Sequence, residues 1–182
     1  MRMESENAIF KRNGRILMIV NPCAGRTKGI LYAGLLETRL KRAGVPVVRC
    51  ETTAEENGAG YAASAARAGC RRIVCIGGDG TLNAVINGML GAGVRLPITY
   101  IPAGTTNDFA RTLHLPRRIG DMRRVLTAGR DVEIDAGRFN DGYFSYVASF
   151  GAFTKCSYAT PRSMKRLLGH LAYVLEGIKD IA

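Results

Sequence analysis

Short apolar runs that alternate with helix-period segments constrain this chain more than any other feature of its sequence. Residues 15–20, RILMIV, are apolar and β-branched enough for a buried strand. Over residues 28–43, Leu31 and Leu35, then Leu36 and Leu40, are spaced by four, and Gly44 suits the position just past a helix end. VPVVRC (45–50) reads as a second strand, and Thr53-Ala-Glu-Glu56 matches a capping box, which predicts a helix from there to about Ala68. RRIVCI (71–76) predicts a third strand, TLNAVINGML (81–90) a helix and LPITYI (96–101) a fourth strand. PAGTTNDFARTL reads as loop and helix, and IGDMRRVLTAG (119–129) as a further helix. Strand and helix thus alternate from 15 to about 128, the pattern of an α/β domain whose mostly parallel sheet is flanked by helices.

The pattern changes near residue 130. RDVEIDAGRF and YFSYVASFG flank Asn140-Asp141-Gly142, which predicts a β-hairpin, and residues 161–182 read as an amphipathic helix with a basic face. The expected organisation is an α/β domain over 1–130 and the beginning of a second, β-rich domain over 131–182. One hairpin and one helix do not make an independent β domain, so that second unit is expected to be cut short.

In such sheets, ligands bind outside the carboxyl ends of the strands. The loops at 21–25, 77–81 and 102–108 all follow strands and can converge on one edge. Gly77-Gly78-Asp79-Gly80-Thr81 links a strand to a helix, where free backbone N–H groups and the helix dipole attract phosphate. Thr81 can cap that helix or bond a phosphate, while a purely structural reading makes Asp79 a local cap. In IPAGTTNDFAR (101–111), Gly104 gives backbone freedom and Thr105, Thr106 and Asn107 supply neutral hydrogen-bonding groups. Asp108 adds a second carboxylate and Asp135, in EIDAG, a third; their structural readings are a helix cap and a solvated strand end. Carboxylates near phosphates make sense around a divalent ion, and Mg2+ takes oxygen ligands, keeps several waters and needs few carboxylates. A carboxylate in such a loop can also accept the proton of an attacking hydroxyl, which points to phosphoryl transfer.

Composition narrows the partners. The chain has 182 residues, 47% hydrophobic and 23% charged, with a net charge of +11, so an anionic partner competes with a merely solvated basic surface. The five cysteines are scattered, with no C-x-x-C and no zinc spacing with the two histidines, which suits reduced thiols. The N-terminus lacks the apolar core of a secretory signal, and no apolar stretch approaches the ~20 residues that span a bilayer. No Walker-type phosphate loop occurs, and Gly58-x-Gly60-x-x-Ala63 fits a dinucleotide fingerprint in form only, since it falls past the capping box.

NPCAG, GGDGTLN and PAGTTNDFAR, in this order and spacing, resemble the catalytic domain of diacylglycerol kinases, within a superfamily that includes sphingosine kinases, NAD kinases and phosphofructokinases. Residues 147–178 are similar to the soluble bacterial members. The resemblance implies ATP and Mg2+, a lipid hydroxyl as acceptor, and a nucleotide site between the α/β domain and a following β-sandwich. It implies ATP contacts from Asn21, Pro22, Cys23, Ala24, Gly25, Arg26, Thr52, Gly77, Gly78, Asp79, Gly80, Thr81, Leu82, Asn83, Gly104 and Thr105. Asp79, Asp108 and Asp135 would form the catalytic acidic network that organises Mg2+ through water, and Arg26 and Arg111 would meet phosphate or anionic lipid. Ala84 stands where the family usually has glutamate, and Asp141-Gly142-Tyr143 is not the D-G-E motif of the family's later part. The implied protein is a cytoplasmic enzyme peripheral to an anionic membrane, acting on diacylglycerol or a related lipid; a homodimer is compatible with it. Rival readings are a kinase of a soluble acceptor, in the manner of NAD kinases, and a non-catalytic ATP-binding module. Nucleic acid is not expected: Arg117, Arg118, Arg123 and Arg124 cluster without interleaved aromatics.

Overall fold

The computed structural model describes residues 14–116, 120–121 and 129–146. The helices expected over 119–129 and 161–182, the arginine cluster and Cys156 lie wholly or largely outside those residues. The chain divides into a unit of Met1–Tyr146 and a unit of Val147–Ala182, and the second is also outside the described residues.

Strands β1 (Arg15–Val20), β2 (Val47–Glu51), β3 (Cys70–Gly77) and β4 (Ile98–Pro102) form one sheet in the order β2-β1-β3-β4. Every pairing is parallel, with Met18 opposite both Arg49 and Val74, and Cys75 opposite Tyr100. Helices α1 (Lys28–Arg42), α2 (Ala59–Ser64), α3 (Asp79–Gly91) and α4 (Asp108–Thr112) fill the intervals. The central strands read as unbroken apolar runs because both faces are covered. Ile16, Met18, Val20, Val74, Ile76 and Ile101 pack with Ala33, Leu36 and Leu40 of α1. Their alternate neighbours Leu17, Ile19, Ile73 and Cys75 pack with Ala62 of α2, Leu82, Val85, Ile86 and Met89 of α3, and Phe109 of α4.

The capping box does not start a helix. Thr53 Oγ1 accepts the N–H of Glu56 at 3.1 Å, but the Thr53 N–H donates to the Glu56 carbonyl at 2.8 Å and closes a turn. The Glu56 carboxylate reaches forward instead, accepting the N–H groups of Gly58 (2.7 Å) and Gly60 (3.2 Å). Helix α2 therefore begins at Ala59, behind Gly58 with φ 104°, and ends at Ser64 rather than near Ala68. Helix α3 starts two residues earlier than the apolar period suggests, so Asp79 and Gly80 belong to its first turn and Gly78 caps it.

The expected hairpin forms in shortened form, β5 (Gly137–Phe139) pairing antiparallel with β6 (Gly142–Phe144). Residues 129–136 have no regular structure and leave Val132 and Ile134 exposed; no strand among the described residues pairs with them. Arg72 of β3 ties this segment down by an ion pair in which its Nη2 alone donates to both carboxylate oxygens of Asp131, at 2.9 and 2.8 Å. The hairpin docks on α3 by packing Tyr143 against the core and by one side chain's hydrogen bonds: Asn87 Oδ1 accepts the N–H of Tyr143 and Nδ2 donates to its carbonyl, both at 2.7 Å. No described helix is long and apolar enough to cross a membrane.

Candidate functional site at the carboxyl edge of the sheet

The strand order sets the loops after β1, β3 and β4 side by side. In the first, Asn21 donates its N–H to Ile76 at 2.8 Å and folds the loop on itself, Oδ1 accepting the Cys23 N–H at 3.0 Å. Its Nδ2 donates to Thr81 Oγ1 at 3.1 Å, tying this loop to the first turn of α3. Thr81 is accordingly buried inside the helix and does not cap it. Gly25, Arg26 and Thr27 follow at φ 57°, 54° and 76°. Left-handed backbone at non-glycine residues is uncommon, and such strain concentrates at ligand clamps. Gly25 admits no side chain at all: a Cβ there would lie 2.2 Å from the Ala103 carbonyl oxygen of the third loop.

The second and third loops touch through backbone. Ala103 and Gly104 both donate N–H to the Gly77 carbonyl, at 2.8 and 3.3 Å, and a Cβ on Gly104 would sit 2.6 Å from Gly78 Cα. Asn107 brackets Gly104, Oδ1 accepting its N–H at 3.0 Å and Nδ2 donating to its carbonyl at 2.8 Å. The Tyr100 hydroxyl donates to the same Oδ1 at 3.4 Å. Burial, reinforced by Asp79, Cys75 and Asp108, pushes that hydroxyl well above the usual tyrosine range, so it remains a neutral donor.

Asp79 is where the loops meet. Its Oδ2 accepts the N–H of Asp108 at 3.0 Å and its Oδ1 that of Phe109 at 3.2 Å. The carboxylate thus caps α4, twenty-nine residues away in the sequence. Asp108 stands at the same junction through its backbone N–H and is partly buried, whereas Asp135 is exposed within 129–136 and is not gathered with them. Among the described residues, no three His, Cys, Asp or Glu side chains gather closely enough to hold a metal ion. One or two carboxylates beside phosphate-type loops suit an ion that keeps its waters and shares ligands with phosphate, as Mg2+ does, and not a closed protein cage.

Of the other residues singled out, Pro22 and Cys23 lie in the first loop, and Thr52 donates its N–H to Val20 at 2.9 Å just after β2. Ala24 and Leu82 turn their side chains into the core, so any ligand contact they make is through backbone. Asn83 is exposed on α3, one turn before Asn87. Beside the third loop lies a hollow of about 170 Å³ lined by Lys28, Tyr32, Gly104, Thr105, Asn107 and Arg111 among others. Lys28 and Tyr32 escape a reading by motif; the available signal is that Lys28 opens the helix directly after the first loop. Cys23, Cys50, Cys70 and Cys75 are free thiols, and burial pushes Cys75 up to about 12.

The family described as "Diacylglycerol kinase catalytic domain" matches residues 15–139. A diacylglycerol kinase of Staphylococcus epidermidis is 34% identical over 167 residues, 91% of this chain and 52% of that protein. One from Staphylococcus aureus is 39% identical over 107 residues, 59% of this chain and 34% of the relative. The crystal structure of a diacylglycerol kinase from Bacillus anthracis superposes with a TM-score of 0.61 at 25% identity, over 72% of this chain and 45% of that one. The chain spans about half the length of the curated relatives it matches.

Proposed function

Because the chain belongs to the diacylglycerol kinase catalytic-domain family, we propose that it is the nucleotide-binding part of an ATP- and Mg2+-dependent lipid kinase. The whole enzyme moves the γ-phosphoryl group of ATP to the free hydroxyl of diacylglycerol and yields phosphatidic acid. The observation that carries this reading is the junction at Asp79, where a carboxylate is held between a glycine-rich strand–helix loop and the TTND loop. In this reading Asn21–Gly25, Arg26, Thr52, Gly77–Asn83, Gly104 and Thr105 cradle the nucleotide, and Arg111 meets phosphate or lipid headgroup. Backbone N–H groups do most of the work there, since close packing of the glycines leaves few side chains to interpose.

Asp79 and Asp108 would hold Mg2+ through water, with Asp135, exposed in the segment 129–136, reaching it only through further waters; the bound ion would supply neutralisation of charge on the phosphoryl group. The chain's own residues do the positioning. Asp79 fixes α4 against α3, Asn107 fixes the backbone of Gly104, and Asn21 fixes the first loop on Thr81. Residues 131–182 begin the second, β-rich domain in this reading. The enzyme works in the cytoplasm, peripheral to an anionic membrane.

The test is an acceptor screen of the longer protein with labelled ATP and Mg2+, offering diacylglycerol, sphingosine and NAD separately. Label in diacylglycerol alone is expected. Label in NAD with none in either lipid would replace this reading by a soluble-acceptor kinase.

A further inference from the structure

Helix α1 carries an outward stripe that meets the proposed nucleotide site only at its Lys28 end. The helix buries Gly29, Ala33, Leu36 and Leu40. At about 100° per residue, Lys28, Leu31, Leu35, Arg39 and Arg42 fall together on a separate stripe, roughly 130° around from the buried one. Leu31 is 59% exposed and Leu35 45%, four residues apart, while Lys28, Arg39 and Arg42 are exposed around them. The only acid of α1, Glu37, points elsewhere and is paired with Lys41 at 2.7 Å and Arg49 at 3.5 Å. Ion pairs among the described residues do not engage Lys28, Arg39 or Arg42.

Single exposed leucines are ordinary on protein surfaces. Two on one stripe, with cations at both ends and no acid between, match a helix lying in the headgroup boundary of an anionic bilayer. We propose that this face of α1 rests on an anionic lipid surface, with Leu31 and Leu35 in the boundary layer and Arg39 and Arg42 on lipid phosphates. The proposal deepens the lipid-kinase reading and rests on it for its purpose. Lys28 closes the stripe at the end where it also lines the hollow with Thr105 and Arg111, so docking there brings the strand-end loops to the membrane. A second copy of the chain fits less well, because a two-fold contact sets this acid-free stripe against itself. Nucleic acid would leave the two leucines without a partner.

The experiment is cosedimentation of the 182-residue chain with vesicles of phosphatidylglycerol and phosphatidylcholine, or of phosphatidylcholine alone, without ATP or diacylglycerol. Binding is expected to anionic vesicles and to fall with salt. Arg39→Gln with Arg42→Gln should weaken it roughly 25-fold, at about fivefold per cation, and Leu31→Ser with Leu35→Ser at least roughly tenfold. Arg67→Gln with Arg71→Gln makes the same charge change at exposed positions on other segments and should weaken binding far less. Circular dichroism checks the fold of each variant. As a second measurement, an environment-sensitive fluorophore on Leu35→Cys, placed in a Cys23→Ser background so that the exposed native thiol is not labelled, should shift to the blue with anionic vesicles only. Absent binding by the parent chain, equal binding to neutral vesicles, equal loss in both arginine pairs, an unaffected leucine variant or an unshifted probe would overturn the proposal. The vesicle assay contains no substrate, so its failure leaves the acceptor screen untouched, and a failed screen leaves vesicle binding to be read on its own.

Discussion

The carboxylate of Asp79 accepts two backbone N–H groups of α4, so its replacement tests packing and chemistry together. Asp79→Asn presents an amide NH2 to one of those donors. An N–H left without its acceptor costs about 1–3 kcal/mol, and we expect a loss of that size in urea unfolding of the 182-residue chain. In the longer protein the same change should lower phosphoryl transfer ~10²–10⁴-fold, as for loss of a positioned acid–base group. Unchanged stability would show that the α4 cap is energetically idle; unchanged turnover would confine Asp79 to capping. A second residue-scale expectation concerns alkali. Cys75, raised to about 12 by burial, and Tyr100, raised mainly by burial, both stay protonated in the folded chain above the pH at which they ionise when unfolded. The unfolded chain then binds fewer protons, so this contribution is complete below about pH 9 and is lost as pH climbs toward 12. A single such group contributes a slope of up to about 1.4 kcal/mol per pH unit. Urea midpoints should fall between pH 9 and pH 11, and Cys75→Val should flatten the fall; an unchanged slope would assign it to other groups.

Between elements, α2 and α3 approach through backbone. A Cβ on Gly88 would lie 2.1 Å from the Ala59 carbonyl oxygen and 2.5 Å from Ala59 Cα, backbone atoms that cannot swing aside. Gly88→Ala must therefore push α2 off α3, and overpacking of this kind typically costs about 1–3 kcal/mol. Gly91, on the same helix, has open space around its Cβ position, so Gly91→Ala should hold or raise stability by up to about 1 kcal/mol. The opposite signs are checked in one thermal unfolding series. The hairpin is the other element-scale device: Asn87 presents to Tyr143 the donor and acceptor that a neighbouring strand would, which lets two three-residue strands persist on a helix.

At the scale of the whole molecule, the proposed function makes this chain one wall of the site. Three strand-end loops are assembled, yet the chain corresponds to 52% of the Staphylococcus epidermidis relative. Phosphoryl transfer depends on donor and acceptor being held in line, and misplacement by about 1 Å can cost on the order of 10²-fold. The 182-residue chain by itself should bind ATP weakly in calorimetry and give no measurable lipid phosphorylation in mixed micelles. Turnover comparable to that of the longer protein would place catalysis wholly in Asp79, Asp108 and their neighbours.

The alternation of strands and helices, the three loops and the glycines within them are legible in the sequence because their signals are local. Residues 15–20 form the strand their β-branched run suggests, and 28–42 the helix its leucine spacing suggests. What each polar side chain then bonds to was decided by tertiary structure. Thr53 and Glu56 obey the letter of a capping box and close a turn, because α2 must wait for Gly58 to pass between Ile19 and Val85. Asp79 reads as a carboxylate in its own loop, but the neighbouring of β3 and β4 delivers the free N–H groups of α4 to it. Local periodicity follows from backbone geometry within a few residues; hydrogen-bond partners sixty residues apart, such as Asn21 and Thr81, exist only after the sheet has set its strand order.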